Sequence, residues 1–110
     1  MQYIKFFEEI SINDIAVVGG KNASLGEMIN NLHSQGVTVP SGFAIVAAAY
    51  RLHLEKNQLE PRLKLLLDQV DKKHLDKLAT IGHEIRTLIK NAPLPNELTQ
   101  EIQQAYRQIE

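Results

Sequence analysis

Val18-Gly19-Gly20-Lys21-Asn22-Ala23-Ser24-Leu25-Gly26-Glu27-Met28 is the stretch on which the reading of this 110-residue chain turns. A glycine pair lets the backbone adopt positive φ or approach a ligand closely. Ser24 and Glu27 stand at the S-x-x-E spacing of a capping box, which predicts a helix starting near Ser24. Leu25, Met28, Ile29 and Leu32 follow at i, i+3, i+4 and i+7, so the helix is expected to bury that stripe. Gly36 supplies a left-handed stop, with Val37 over the last turn. Such a helix points its free N–H groups and positive dipole end back at Gly19 and Gly20, and Lys21 adds an ammonium in the loop ahead of it. Together they make a cradle for an anion, most simply a phosphate. A plain strand–turn–helix with a solvated Lys21 is the alternative that these residues leave open. A P-loop is excluded: it requires glycine at 15 and serine or threonine at 22, where the chain has Ile15 and Asn22. A Rossmann fingerprint fails because Gly20 lacks glycine partners at the required spacing.

Upstream of this loop, residues 3–7 (Tyr-Ile-Lys-Phe-Phe) read as a short strand, followed by a polar connection over 11–15 and an apolar approach through Val17-Val18. Downstream, Pro40-Ser41-Gly42 is a turn and Phe43–Val46 a second, buried strand. Everything from Ala47 onward reads as helix. Ala48, Leu52 and His53 lead to a polar break at Lys56-Asn57-Gln58. Pro61 suits the first turn of a helix carrying Leu63, Leu66, Leu67 and Val70 inward. A further helix is expected from about His74 to Lys90, with Leu75, Leu78, Ile85, Leu88 and Ile89 inside. Pro93-Leu94-Pro95 opens the last one, with Leu98, Ile102, Ala105, Tyr106 and Ile109 inside. The expected class is α+β, mostly helical: two or three short strands near the N-terminus and then a helical bundle. All of it, residues 1–110, is read as part of one domain, with a strand, loop and helix ligand-contact region over 1–46 and a helical region over 47–110. A last helix still in pattern at Ile109 suggests a piece of something longer.

A hydrophobic fraction of 44% and a charged fraction of 23% are those of a globular protein. Twelve basic against thirteen acidic residues give a net charge of −1, and they interleave, as in Asp71-Lys72-Lys73 and Asp76-Lys77. With only six aromatic residues besides, no nucleic-acid partner is expected. Cysteine is absent, which removes disulfides, thiolate nucleophiles and cysteine-bound zinc. No apolar run reaches the length of a membrane span, and Glu8 and Glu9 argue against a secretory leader, so the expected location is the cytoplasm.

The four histidines, at 33, 53, 74 and 83, show no helix-face pairing, so surface or helix-end roles are expected and no metal ligand is assigned. Among the carboxylates Asp14, Glu27 and Glu84, Glu27 is accounted for as the helix cap. Arg51, Arg62, Arg86 and Arg107 read as surface cations. Leu65-Leu66-Leu67 reads as helix core rather than as a partner-binding face.

Residues 18–28, with Val39-Pro40-Ser41-Gly42-Phe43-Ala44, resemble the opening of the phosphoenolpyruvate synthase family, the pyruvate, water dikinases. The likeness runs through Glu84-Ile85-Arg86 and Ala105-Tyr106 and so covers essentially the whole chain. It is looser to pyruvate, phosphate dikinase and rifampicin phosphotransferase, and Asn22-Ala23-Ser24 favours the synthases. The resemblance implies an incomplete subdomain of an ATP-grasp-like nucleotide-binding domain. Such an enzyme converts ATP, pyruvate and water to AMP, phosphoenolpyruvate and phosphate, requires Mg²⁺, and carries the phosphoryl group on a histidine. That phosphohistidine domain, the rest of the ATP-grasp and the pyruvate-binding barrel are its expected partners, all outside this chain. The resemblance places Lys21, with Gly19 and Gly20, on the ATP phosphates and assigns no catalytic or metal-binding residue here. Alone, the chain is expected to be inactive, to hold ATP weakly, and to have apolar surface through which it can self-associate. The rival from another class is a helical interaction module that keeps the Gly-Gly-Lys loop without using it.

Overall fold

The computed structural model describes residues 1–70 and 75–109. Its elements, in order, are β1 (Ile4–Phe6), α1 (Ile15–Val18), α2 (Gly20–Ser34), β2 (Phe43–Ile45), α3 (Ala47–Lys56), α4 (Glu60–Leu67), α5 (Leu78–Asn91) and α6 (Asn96–Ile109), with short 3₁₀ turns at Phe7–Glu9, Ile12–Asp14 and Leu75–Lys77. The α+β, mostly helical class expected from the sequence is what forms. No helix among the described residues is long and apolar enough to cross a membrane. The chain divides into two compact units, Met1–Tyr50 with Asn96–Glu110, and Arg51–Pro95.

In the first unit β1 and β2 pair antiparallel, Ile4 opposite Ile45 and Phe6 opposite Phe43. The Phe6 and Phe43 rings meet edge to face, with centroids 6.1 Å apart. β1 is shorter than residues 3–7 because Phe7 turns out of the strand. Its N–H reaches Gly42 O at 3.1 Å and its carbonyl closes a turn by accepting from Ile10 N at 3.1 Å. Two strands are marginal in isolation, and the sheet is held by what packs on it. Ile10 is fully buried and sits in a core with Val18, Ala23, Ala44 and Val46, flanked by Phe7 and Ala48. β2 is buried through Ala44, while Ile45 is 47% exposed, so the expected two-sided burial is one-sided. α6 joins the sheet where Tyr3 N–H donates to Glu101 Oε1 at 3.0 Å. Leu98 and Ala105 are its buried positions, with Ile102 half-buried; Tyr106, expected inside, is exposed.

α2 departs from its expected form. It starts at Gly20, four residues before Ser24, and its buried face is Ala23, Gly26 and Ile29. Of the expected stripe, Leu25 and Met28 are exposed and Leu32 is half-buried; Ile29 alone is buried. Close approach explains the choice. A Cβ on Gly26 would lie 2.7 Å from Ile10 Cβ and 2.8 Å from Ile10 O, so the helix backbone is seated directly on residue 10. Asn30 completes the contact by donating to Ile10 O at 2.9 Å and Phe7 O at 3.3 Å. The C-terminus matches expectation: Gly36 has φ +81°, its N–H reaches His33 O, and Val37 N–H reaches Leu32 O, each at 3.0 Å.

In the second unit, α3 ends at Lys56 and is closed by Gln58, a left-handed residue with φ +54°. Pro61 stands in the first turn of α4, as expected. None of the α4 residues is fully buried: Leu63 and Leu66 are half-buried, while Leu65 and Leu67 are exposed and Val70 lies beyond the helix. α5 begins at Leu78, and its buried residue is Ile81; Leu75 and Leu78, expected inside, are exposed. His74, where that helix was expected to start, and the Asp71-Lys72-Lys73 run lie outside the described residues. His53 is not a surface histidine. It is 6% exposed, its Nε2 lies 2.9 Å from Ile89 O, and a carbonyl only accepts, so Nε2 carries the proton. Asn57 Nδ2 braces the same region by donating to His53 O at 2.9 Å and Pro93 O at 3.0 Å.

Candidate anion site at the Gly19 junction

Two helices meet at one glycine. α1 is a single turn whose end is closed by Gly19 N–H on Ile15 O at 2.8 Å, and α2 opens with Ala23 N–H on Gly19 O at 3.0 Å. Gly19 therefore ends one helix and starts the next. Its backbone, φ +85° and ψ +161°, lies where side-chain-bearing residues are essentially absent.

The chemical consequence concerns donors. The first N–H groups of a helix have no partner within it, and a serine or aspartate at the N-cap satisfies one of them with its side chain. Gly19 has no side chain to offer. The N–H groups of Gly20, Lys21 and Asn22 accordingly donate to no described residue. Gly20 is exposed, and a Cβ placed on it would meet nothing within 4 Å, so the approach to these donors is open. Lys21 is exposed at the second position of α2. The expected loop location for Lys21 is corrected by one turn, since the helix begins before the lysine rather than after it. Three N–H groups without a described acceptor lie at the positive end of a 15-residue helix, whose first turn also carries Lys21. Donors of this kind have the chemistry that suits an anion with several oxygens.

The capping box that was expected to start α2 does not exist. Ser24 is exposed inside the helix, and Glu27 Oε2 instead accepts from Ile12 N–H at 3.0 Å, capping a different turn fifteen residues away. Asp14 also serves locally. Its carboxylate accepts from Ser11 N–H at 2.9 Å and pairs with Lys5 at 3.4 Å. The Ser11 N–H first, and Lys5 after it, hold that carboxyl below its ordinary range. Glu84 belongs to the other unit, exposed beside a recess of about 540 Å³ that Arg62, Leu66, His83 and Leu88 also line. Among the described residues, no three histidine, aspartate or glutamate side chains converge as a metal site.

One residue of the junction went unread in the sequence. Asn22 Nδ2 donates to Val18 O, the last carbonyl of α1, at 3.0 Å. The only signal was its place three residues after a glycine, and that acquires meaning once the glycine is known to start the helix.

Residues 15–110 match the family model described as pyruvate phosphate dikinase, AMP/ATP-binding domain. Phosphoenolpyruvate synthase of Neisseria meningitidis serogroup B (strain MC58) is 44% identical over 107 residues, which cover 97% of this chain and 14% of that protein. The phosphoenolpyruvate synthase of Synechocystis sp. PCC 6803 is 45% identical over 94% of this chain and 13% of its own length. That of Escherichia coli K12 is 42% identical over 96% and 13%. The chain thus spans about one-seventh of the length of the curated relatives it matches. The Gly19 junction lies within the matched span, and the chain belongs to the family of the pyruvate phosphate dikinase AMP/ATP-binding domain.

Proposed function

We propose that this chain forms one wall of the ATP site of a phosphoenolpyruvate synthase, with Gly19, Gly20 and Lys21 at the nucleotide's phosphates. The observation that carries the reading is the uncapped start of α2, three free N–H groups beside Lys21, inside a match to an AMP/ATP-binding domain. The residues fit a polyphosphate: Gly20 leaves its side open, the N–H groups offer directed hydrogen bonds, and Lys21 offers a mobile point charge. ATP, when bound, supplies the phosphoryl group. The chain's own part is to orient the phosphates and offset their charge, which is most of what a protein contributes to phosphoryl transfer. The enzyme as a whole makes AMP, phosphoenolpyruvate and phosphate from ATP, pyruvate and water. Its Mg²⁺ ligands, phosphohistidine and pyruvate site belong to other parts of that enzyme. The high identity to several synthases favours this reading over a rifampicin phosphotransferase, a pyruvate, phosphate dikinase or a non-catalytic helical module.

Lys21→Ala in the complete enzyme tests it. AMP formation should fall by about 10²–10³, the usual cost of losing a donor to transition-state charge. Back-transfer from phosphoenolpyruvate onto the enzyme should stay near wild type. Folding should be unaffected, because Lys21 is exposed and alanine is the better helix former. Equal loss in both half-reactions, or loss in neither, counts against the assignment.

A further inference from the structure

Val18 O is the carbonyl that Asn22 N–H would take if α1 and α2 were one continuous helix. The turn at Gly19 breaks that pairing and leaves the Asn22 N–H, like those of Gly20 and Lys21, with no acceptor among the described residues. It also leaves Val18 O without its helical partner beside Val18, a residue only 6% exposed. The structure answers with the side chain of the same residue: Asn22 Nδ2 donates to Val18 O at 3.0 Å. One residue exchanges its backbone donor for its side-chain donor. The carbonyl stays satisfied and the backbone N–H is left over.

We infer that Asn22 is a positioning residue for nucleotide binding, holding the Gly19 junction open so that the N–H groups of residues 20–22 face the phosphates. The inference rests on the reading that this junction meets ATP. Gly19 has room for other conformations, since glycine is the least restricted residue and nothing lies within 4 Å of its would-be Cβ. Without the Asn22 amide, the lowest-cost way to satisfy Val18 O is to straighten the junction and give it the Asn22 N–H. The helix then runs on through residue 19, and the donors of residues 20–22 turn inward to α1 carbonyls.

The test uses the complete enzyme with Asn22→Ala, Asn22→Ser and Lys21→Ala. Serine keeps a side-chain hydroxyl that can donate to Val18 O across the junction, whereas alanine has no side-chain donor at all. Asn22→Ala should raise the KM for ATP about tenfold, the size of one lost hydrogen bond. The KM for pyruvate should stay within about twofold, and Asn22→Ser should return the ATP KM to within about threefold of wild type. A residue serving stability alone would leave the ATP KM of the folded fraction unchanged. If Lys21→Ala impairs ATP use while Asn22→Ala does not, the site stands and the positioning role is wrong. If alanine and serine variants are equally impaired, the Val18 bond is not the cause and the inference fails. If Lys21→Ala and Asn22→Ala are both silent, the ATP reading fails and takes this one with it. Should the alanine variant not fold, the serine variant decides: a wild-type-like ATP KM supports the inference, and a tenfold rise overturns it.

Discussion

The N-terminal unit and the Arg51–Pro95 unit both seat helices, but with opposite materials. In the first, α2 is brought down on Ile10 through Ala23, Gly26 and the carboxamide of Asn30, so backbone meets backbone-proximal atoms. Leu25 and Met28 are left outside. In the second, Ile81, Leu54 and Leu59 are buried through their side chains, and the buried His53 imidazole bonds Ile89 O. A pattern of large apolar residues finds faces that pack by side chains. It is blind to faces that pack by having none.

Two mid-helix glycines put that contrast at its sharpest. Gly26→Ala should be the most damaging single-methyl change in the chain, costing about 3 kcal/mol, the upper end of overpacking. Neither Ile10 Cβ nor Ile10 O can yield, because Ile10 is fully buried and its carbonyl is held by Asn30. Gly82→Ala in α5 should do the reverse and stabilise by roughly 0.5–1 kcal/mol, since alanine relieves the glycine penalty in a helix. Its new Cβ meets only Arg86 Nη1 at 3.3 Å, the far end of a flexible, exposed side chain. Urea denaturation of both variants measures the pair. Equal effects would mean that the Ile10 contact is not what seats α2.

The same contrast explains what the sequence showed in advance. Gly36, Pro61, both strands and the Leu98–Ile102–Ala105 face of α6 were legible, because each is announced by a residue type with one physical meaning at that position. Gly19 was legible as a break in the backbone ahead of a helix. The start of α2 was not. The S-x-x-E pattern at Ser24 imitates a cap, and the true N-cap is a glycine, which makes no side-chain cap bond for a pattern to announce. The burial of His53 was also hidden, because its partner is a backbone carbonyl 36 residues away that no side-chain pattern reveals.

Helix ends extend the comparison with a smaller effect. Gly36 and Gln58 end their helices with the same pair of bonds. Val37 N–H reaches Leu32 O and Gly36 N–H reaches His33 O in the first unit. Leu59 N–H reaches Leu54 O and Gln58 N–H reaches Glu55 O in the second. Glycine holds the left-handed position without strain, whereas Gln58 holds φ +54° with a Cβ. Gln58→Gly should therefore stabilise the chain by about 1 kcal/mol, and Gly36→Gln should destabilise it by a similar amount. Thermal unfolding of the two single variants would show opposite shifts; shifts of the same sign would break the equivalence of the two caps.

The smallest effect is one of pH, and it belongs to the N-terminal unit. Asp14 closes the Ser11–Asp14 turn that leads into α1, accepting from Ser11 N–H at 2.9 Å and pairing with Lys5 at 3.4 Å. These partners favour the ionised form and lower its pKa from an ordinary value of 3.8. A carboxyl whose pKa is lower folded than unfolded binds fewer protons in the native state, so stability rises with pH across the interval between the two values. The contribution of Asp14 is thus complete above 3.8 and disappears as the pH falls through its lower folded value. Asp14→Asn keeps an oxygen for Ser11 N–H but removes the charge. The gap in urea midpoint between wild type and variant should be widest at neutral pH and should shrink as the pH falls below 3.8. Added salt at neutral pH should narrow the gap only in part, because screening acts on the half-buried Lys5 pair more than on the short Ser11 bond. A gap that stays constant from neutral pH to about pH 2 would show that the turn is held by the shape of residue 14 and not by its ionisation.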